Sequence, residues 1–167
     1  YICDYLKDKK VKTFVDPVLG DNGNRFKCFD DNYQKSLKKL VDMADYISPN
    51  LTEACLLTDS NINEDPLEII KKFKNKKVVI TSIHKDNKIG YLVKDNDEIF
   101  HILNNKVKDE LHGTGDVFAS FLCAKMIQTN NFSESVIHAA KKTNDCITVT
   151  LKEKGHSIYG LNFENII

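Results

Sequence analysis

Residues 111–122 read Leu111-His112-Gly113-Thr114-Gly115-Asp116-Val117-Phe118-Ala119-Ser120-Phe121-Leu122. Two glycines bracket a threonine, an acid follows, and an apolar run with helical spacing begins at once. The pattern predicts a flexible turn feeding a helix N-terminus. Such a terminus offers unpaired backbone N–H groups and the positive end of the helix dipole, so it attracts anions. An acid in that position suits the helix start and can also take a proton from a bound hydroxyl.

The rest of the chain supplies the frame for this turn. Residues 1–9 read as the end of a helix, and residues 11–15 alternate and are β-rich, which predicts a buried strand. That strand runs into Asp16-Pro17-Val18-Leu19-Gly20-Asp21-Asn22-Gly23, a loop dense in turn formers. Leu37, Leu40, Val41 and Ala44 make a helical stripe within residues 32–44. Asp45-Tyr46-Ile47-Ser48 is a short strand stopped by Pro49, and a helix from Asn50 or Leu51 runs through Leu57. Asp65-Pro66 marks another helix start, which Leu67, Ile70 and Phe73 continue on one face. Residues 77–82 form a core strand by their β-branched content. Residues 89–93 and 98–103 form a hairpin around Lys94-Asp95-Asn96-Asp97. After the glycine turn one helix runs to about Ile127, and Ser133 caps a further one carrying Val136, Ile137, Ala140 and Cys146. The stretch between Lys106 and Gly113 is short, and the tail from Gly155 is short and mixed.

Strand and helix alternate through most of this order. The alternation predicts one α/β domain with a mainly parallel sheet and helices on both faces. In such sheets ligands bind beyond the carboxyl ends of the strands. The polar clusters fall there: Asp16 and Asp21 after Val15, Asn50 and Glu53 after Ile47, Thr81 and Ser82 after Ile80, and the Gly113–Asp116 turn. They are expected to converge on one cleft. Each also has an ordinary explanation. Asp16-Pro17 is good turn chemistry, Asn50 and Glu53 have the spacing of a capping pair, and Thr81-Ser82 alone is uninformative. The same Asn and Glu also suit a hydrated Mg²⁺. Their joint alignment on one sheet edge favours the functional reading, an anion cradle beside a base, which is the equipment of phosphoryl transfer.

Composition removes other classes. The 167 residues carry 24 Lys plus Arg and 24 Asp plus Glu, so no basic balance marks a nucleic-acid binder. The densest lysine cluster, residues 71–77, reads as a solvated helix end before a strand. Cys3, Cys28, Cys55, Cys123 and Cys146 are odd in number and lack metal or redox spacing, which suits a reducing cytosol. Cys55 and Cys123 read as core residues. The histidines, 84, 101, 112, 138 and 156, show no ligand spacing, and no Cys/His pair marks a hydrolytic nucleophile. No apolar run approaches the length of a membrane span.

Four segments together spell a known order: Val15-Asp16-Pro17-Val18-Leu19-Gly20-Asp21, Ser48-Pro49-Asn50-Leu51-Thr52-Glu53, Val78-Val79-Ile80-Thr81-Ser82, and Gly113-Thr114-Gly115-Asp116. This order resembles pyridoxal kinases of the ribokinase-like superfamily from residue 1 to about 150. The resemblance implies a three-layer α/β/α sandwich with a mainly parallel central sheet, incomplete at its N-terminus. It implies ATP-dependent phosphorylation of the 5′-hydroxymethyl group of pyridoxal, pyridoxine or pyridoxamine, with Mg²⁺ and a monovalent cation such as K⁺. By the likeness Asp116 is the catalytic base, and Gly113, Thr114 and Gly115 surround the transferring phosphate. Asp16 lies near the phosphates and metal, and Asn50 and Glu53 organise the Mg²⁺ shell, with Glu53 and Asp16 on the metal. Thr81, Ser82 and Asp21 lie on the nucleotide side.

Members of that family carry roughly a further hundred residues at the N-terminus, including most groups that grip the pyridoxal ring. The chain is therefore expected to be the C-terminal, ATP-binding and catalytic portion of a single kinase domain, with low activity or none alone. A cytoplasmic homodimer is expected, with no nucleic-acid or membrane partner. Two rival readings stand beside it. One is a related kinase for hydroxymethylpyrimidine or a sugar, although hydroxymethylpyrimidine kinases tend to carry a Gly-Ser-Gly-Cys type of turn where Asp116 stands. The other is an inactive nucleotide-binding fragment or scaffold.

Overall fold

A computed structural model of the chain describes residues 1–106, 111–152, 160–164 and 166. The short stretch after Lys106 and the tail from Gly155, His156 included, fall mostly outside these residues. The elements in chain order are α1 (Ile2–Leu6), β1 (Phe14–Val15), β2 (Gly20–Asp21), β3 (Asn24–Arg25) and α2 (Asp31–Met43). There follow β4 (Tyr46–Ile47), α3 (Leu51–Thr58), α4 (Pro66–Lys71), β5 (Lys77–Lys85), β6 (Lys88–Asp95), β7 (Glu98–Asn105), α5 (Thr114–Thr129) and α6 (Phe132–Lys152).

Five strands form one sheet in the order β1-β4-β5-β6-β7. Its first half is parallel: Phe14 pairs with Tyr46, and Ile47 pairs with Val78. Helices fill the connections from β1 to β4 and from β4 to β5, as parallel crossovers require. The second half is a meander in which two-residue turns, Asp86-Asn87 and Asn96-Asp97, join β5 to β6 and β6 to β7. The α/β expectation holds. The hairpin at residues 89–103 is present but longer than its apolar cores, since Lys94 and Asp95 continue β6 and Asp95 pairs with Lys77 at 2.8 Å.

The chain folds as two compact units. The first comprises residues 1–83 with 92–101, the second residues 84–91 with 102–167. In the first, Leu37 and Val41 of α2, Ile47, Ala54, Ile69, Ile70, Ile80 and Leu92 pack into one apolar core. Val78, Val79 and Ile80 have no exposed surface, so β5 is covered on both faces there. In the second unit α5 packs along α6 through Phe118, Leu122, Val136, Ala139 and Ala140. The Tyr91 ring stacks on Phe118 at 4.5 Å, and burial pushes its phenol up to about 12.

Several local expectations need correction. The strand expected at residues 11–15 is ordered as strand only at Phe14–Val15, which are half-buried, while Val11 is exposed. Its approach is taken by a side chain: Asp45 accepts from the Thr13 N–H at 2.9 Å and pairs with Lys12 at 3.0 Å. The loop after Val15 contains a small antiparallel hairpin, β2 with β3, which periodicity cannot reveal in two-residue strands. In α4, Ile69 and Ile70 are buried while Leu67 is exposed, and the helix ends at Lys71, so the buried Phe73 lies beyond it rather than on its face. Asn131, rather than Ser133, caps α6, accepting from the Glu134 N–H at 3.1 Å. Cys146 is buried with Cys55, whereas Cys123 is only half-buried.

Candidate active site

The first unit gathers Asp16, Asn50 and Glu53 at the carboxyl ends of β1 and β4, beside Thr81 of β5; the strand expected to end at residue 82 runs on to Lys85, so Thr81 and Ser82 lie within it rather than after it. The parallel register does this. Thr81 donates its N–H to the Pro49 carbonyl at 2.9 Å, and Asn50 bridges to Thr81 just past the end of β4. Ser48, at the same strand end, donates its hydroxyl to Asp16 at 2.5 Å. Sequence reasoning passed over Ser48. Its position after Ile47, at a strand's carboxyl end, was the available signal.

Asn50 and Glu53 are the capping pair that their spacing allows. The Asn50 side chain accepts from the Glu53 N–H at 2.9 Å, and the Glu53 carboxylate accepts from the Asn50 N–H at 2.8 Å. Capping does not exhaust either side chain. Asn50 also donates to the Gly20 carbonyl at 2.9 Å, and the second Glu53 oxygen accepts from the Leu19 N–H at 2.9 Å. Both residues therefore tie α3 to the segment that carries Asp21.

Burial pushes the Glu53 carboxyl up to about 7. N–H donors of Leu19, Asn50 and Gly20 partly oppose the rise, and the charge of Asp16 adds to it. A buried carboxyl beside a second acid is a donor set whose charge a divalent cation relieves. Among the described residues no three His, Cys, Asp or Glu groups form a metal cage. Mg²⁺ needs none, since it keeps waters and uses one or two carboxylates with substrate phosphates. The residues fit that ion.

Asp21 lies on the exposed side of β2, where its carboxylate accepts from the Asn22 N–H at 2.8 Å. Ser82 is exposed and sits at φ +58° inside β5, a left-handed conformation uncommon for a serine in a strand. Such conformations concentrate at ligand sites, where the surroundings enforce them.

The second unit holds Gly113, Thr114, Gly115 and Asp116. Gly113 stands before α5 at φ +80°, a left-handed conformation open to glycine, and having no side chain it cannot cap the helix itself. The first-turn N–H groups thus receive no acceptor from the N-cap residue. Asp116 is exposed in that turn, and its carbonyl accepts the Ser120 hydroxyl at 2.7 Å. A Cβ built at Gly115 would meet nothing within 4 Å. Packing within the chain does not demand glycine there, although glycine weakens a helix. The bare backbone suits close approach by an anion.

A model of the phosphomethylpyrimidine kinase family matches residues 1–161. The pyridoxal kinase of Dictyostelium discoideum is 36% identical over 124 residues, which are 64% of this chain and 41% of that protein. The solved pyridoxal kinase from Entamoeba histolytica matches with a TM-score of 0.81 at 27% identity, over 98% of this chain and 60% of that one. Pyridoxal kinase from Leishmania donovani, solved in complex with ADP and pyridoxamine, matches with a TM-score of 0.79 at 23% identity. That match covers 96% of this chain and 59% of that one. The chain thus spans 41% to 60% of the length of these relatives.

Proposed function

The chain belongs to the phosphomethylpyrimidine kinase family and has a ribokinase-like fold, and on that premise we propose that it is the ATP-binding and catalytic portion of a pyridoxal kinase. Its reaction is transfer of the γ-phosphoryl group of ATP to the 5′-hydroxymethyl group of pyridoxal, pyridoxine or pyridoxamine. The observation that carries this reading is the uncapped start of α5, where Asp116 stands beside a Gly115 that packing does not require.

Asp116 takes the proton of the attacking hydroxyl as its oxygen bonds to phosphorus. The N–H groups of Gly113, Thr114, Gly115 and the α5 dipole take up charge on the transferring phosphoryl oxygens. ADP leaves as the bond to its β-phosphate oxygen breaks. Asp16 and Glu53 would hold Mg²⁺, Glu53 through its hydration shell, and the ion would supply positive charge to the phosphates, with a monovalent cation such as K⁺ adding to it. Asn50 orients Glu53, while Asp21, Thr81 and Ser82 address the nucleotide. ADP in the Leishmania donovani complex supports nucleotide use.

We further propose that the protein is a homodimer, and five free cysteines support a reducing, cytoplasmic setting. No helix among the described residues is long and apolar enough to cross a membrane. The family's own description, phosphomethylpyrimidine kinase, together with a Haemophilus influenzae hydroxymethylpyrimidine/phosphomethylpyrimidine kinase 28% identical over 162 residues, favours a second reading, phosphorylation of hydroxymethylpyrimidine. A phosphorylation assay of the intact protein with Mg-ATP, comparing pyridoxal with hydroxymethylpyrimidine, separates the two. Preferential turnover of pyridoxal is expected. Preferential turnover of the pyrimidine would assign the second reading, and turnover of neither would defeat both.

A further inference from the structure

The β2–β3 hairpin is too small to fix itself. Each strand has two residues, and a hairpin of that size is not stable alone. Its turn, Asn22-Gly23, has both φ angles positive, at +52° and +77°. Its pose must come from outside: Arg25 of β3 ties it to Asp31 and Gln34 of α2, and the first turn of α3 holds its β2 side and its tip. Glu53 and Asn50 hold the hairpin's entrance through Leu19 and Gly20. The tip is held separately, by Gly23 donating its N–H to the Thr52 hydroxyl oxygen at 2.8 Å. Thr52 is buried, with 6% of its surface exposed, while Gly23 is exposed, so this bond joins a fixed acceptor to a donor at the surface and is partly shielded from water.

Asp21 lies between these two anchors. Its carboxylate already accepts from the next residue of the turn, Asn22, so its direction follows the turn. We propose that Thr52 is a positioning residue that fixes the hairpin tip and thereby aims Asp21 at the nucleotide. This inference rests on the nucleotide-binding reading above. Thr52 itself touches no nucleotide in that reading; it acts through Gly23.

The test uses Thr52→Val, which keeps the shape and removes the acceptor, and Thr52→Ser, which restores it. Amide hydrogen exchange at Gly23 reads the clamp directly, and Mg-ATP titration with steady-state kinetics reads its consequence. Loss of one hydrogen bond should speed Gly23 exchange and weaken Mg-ATP binding by about five- to tenfold in Thr52→Val, with recovery in Thr52→Ser. The ATP KM should rise with kcat nearly constant, as for a group that serves ground and transition states alike. A merely destabilised protein would instead lose active fraction, lowering kcat. Unchanged Gly23 exchange, or faster exchange with unchanged ATP affinity, would overturn the inference alone. Failure of the wild-type protein to bind Mg-ATP would overturn the nucleotide reading and this inference together.

Discussion

Glu53 shows how one side chain can be both a structural cap and a candidate metal group. Its spacing from Asn50 allowed either reading from sequence, and the hydrogen bonds establish the cap without removing the other. What the sequence could not indicate is the bond to Leu19, because that depends on where a loop 34 residues away comes to rest. The raised pKa has a definite consequence for stability. The carboxyl titrates near 4.5 when free and at about 7 in the fold. Between those values the folded state binds a proton that the unfolded state has released, so stability falls as pH rises through the window. Below 4.5 both states are protonated, and above 7 both are ionised, so the contribution is flat outside it. Thermal melts of wild type and Glu53→Gln across pH 4 to 8 should show a downward component in the wild type that the variant lacks. Identical pH profiles would show that Glu53 is not so perturbed.

At the scale of elements, the long and strongly patterned ones were legible. The Leu37/Val41 stripe, the Asp65-Pro66 start and the β-branched run of β5 all appear within a few residues of expectation. The short ones were not. β1 contracts because Asp45 captures the backbone N–H before it, and β2–β3 is set by an Asn-Gly turn too local for periodicity to register. The start of α5 carries the clearest separation of folding from function. Ala is the better helix former by about 0.5–1 kcal/mol, and a Cβ at Gly115 meets no neighbour. Gly115→Ala should therefore leave stability unchanged or raised by up to about 1 kcal/mol in urea melts. The same change should weaken Mg-ATP binding or turnover, because the new methyl group obstructs the backbone surface kept for phosphate. Loss of stability without loss of binding would mean that Gly115 serves packing instead.

At the scale of the molecule, the parallel half of the sheet was the decisive inference. Once β1, β4 and β5 run in parallel, the polar successors of β1 and β4 must emerge at one edge, and Asp16, Ser48 and Asn50 do, beside Thr81 within the longer β5. The glycine turn was equally plain from its residues, since a glycine at φ +80° and an uncapped helix follow from Gly113-Thr114-Gly115. The acceptor's binding groups were not legible, because the residues with readable chemistry are those proposed to serve phosphate and metal, and none of them is suited by type to a pyridoxal ring. The central claim is that Asp116 acts as the base in phosphoryl transfer. The direct measurement is turnover of pyridoxal by the intact protein carrying Asp116→Asn, alongside Mg-ATP titration. The account predicts a fall in kcat of about 100- to 10,000-fold with Mg-ATP affinity within about twofold of wild type. Turnover at the wild-type rate would contradict it.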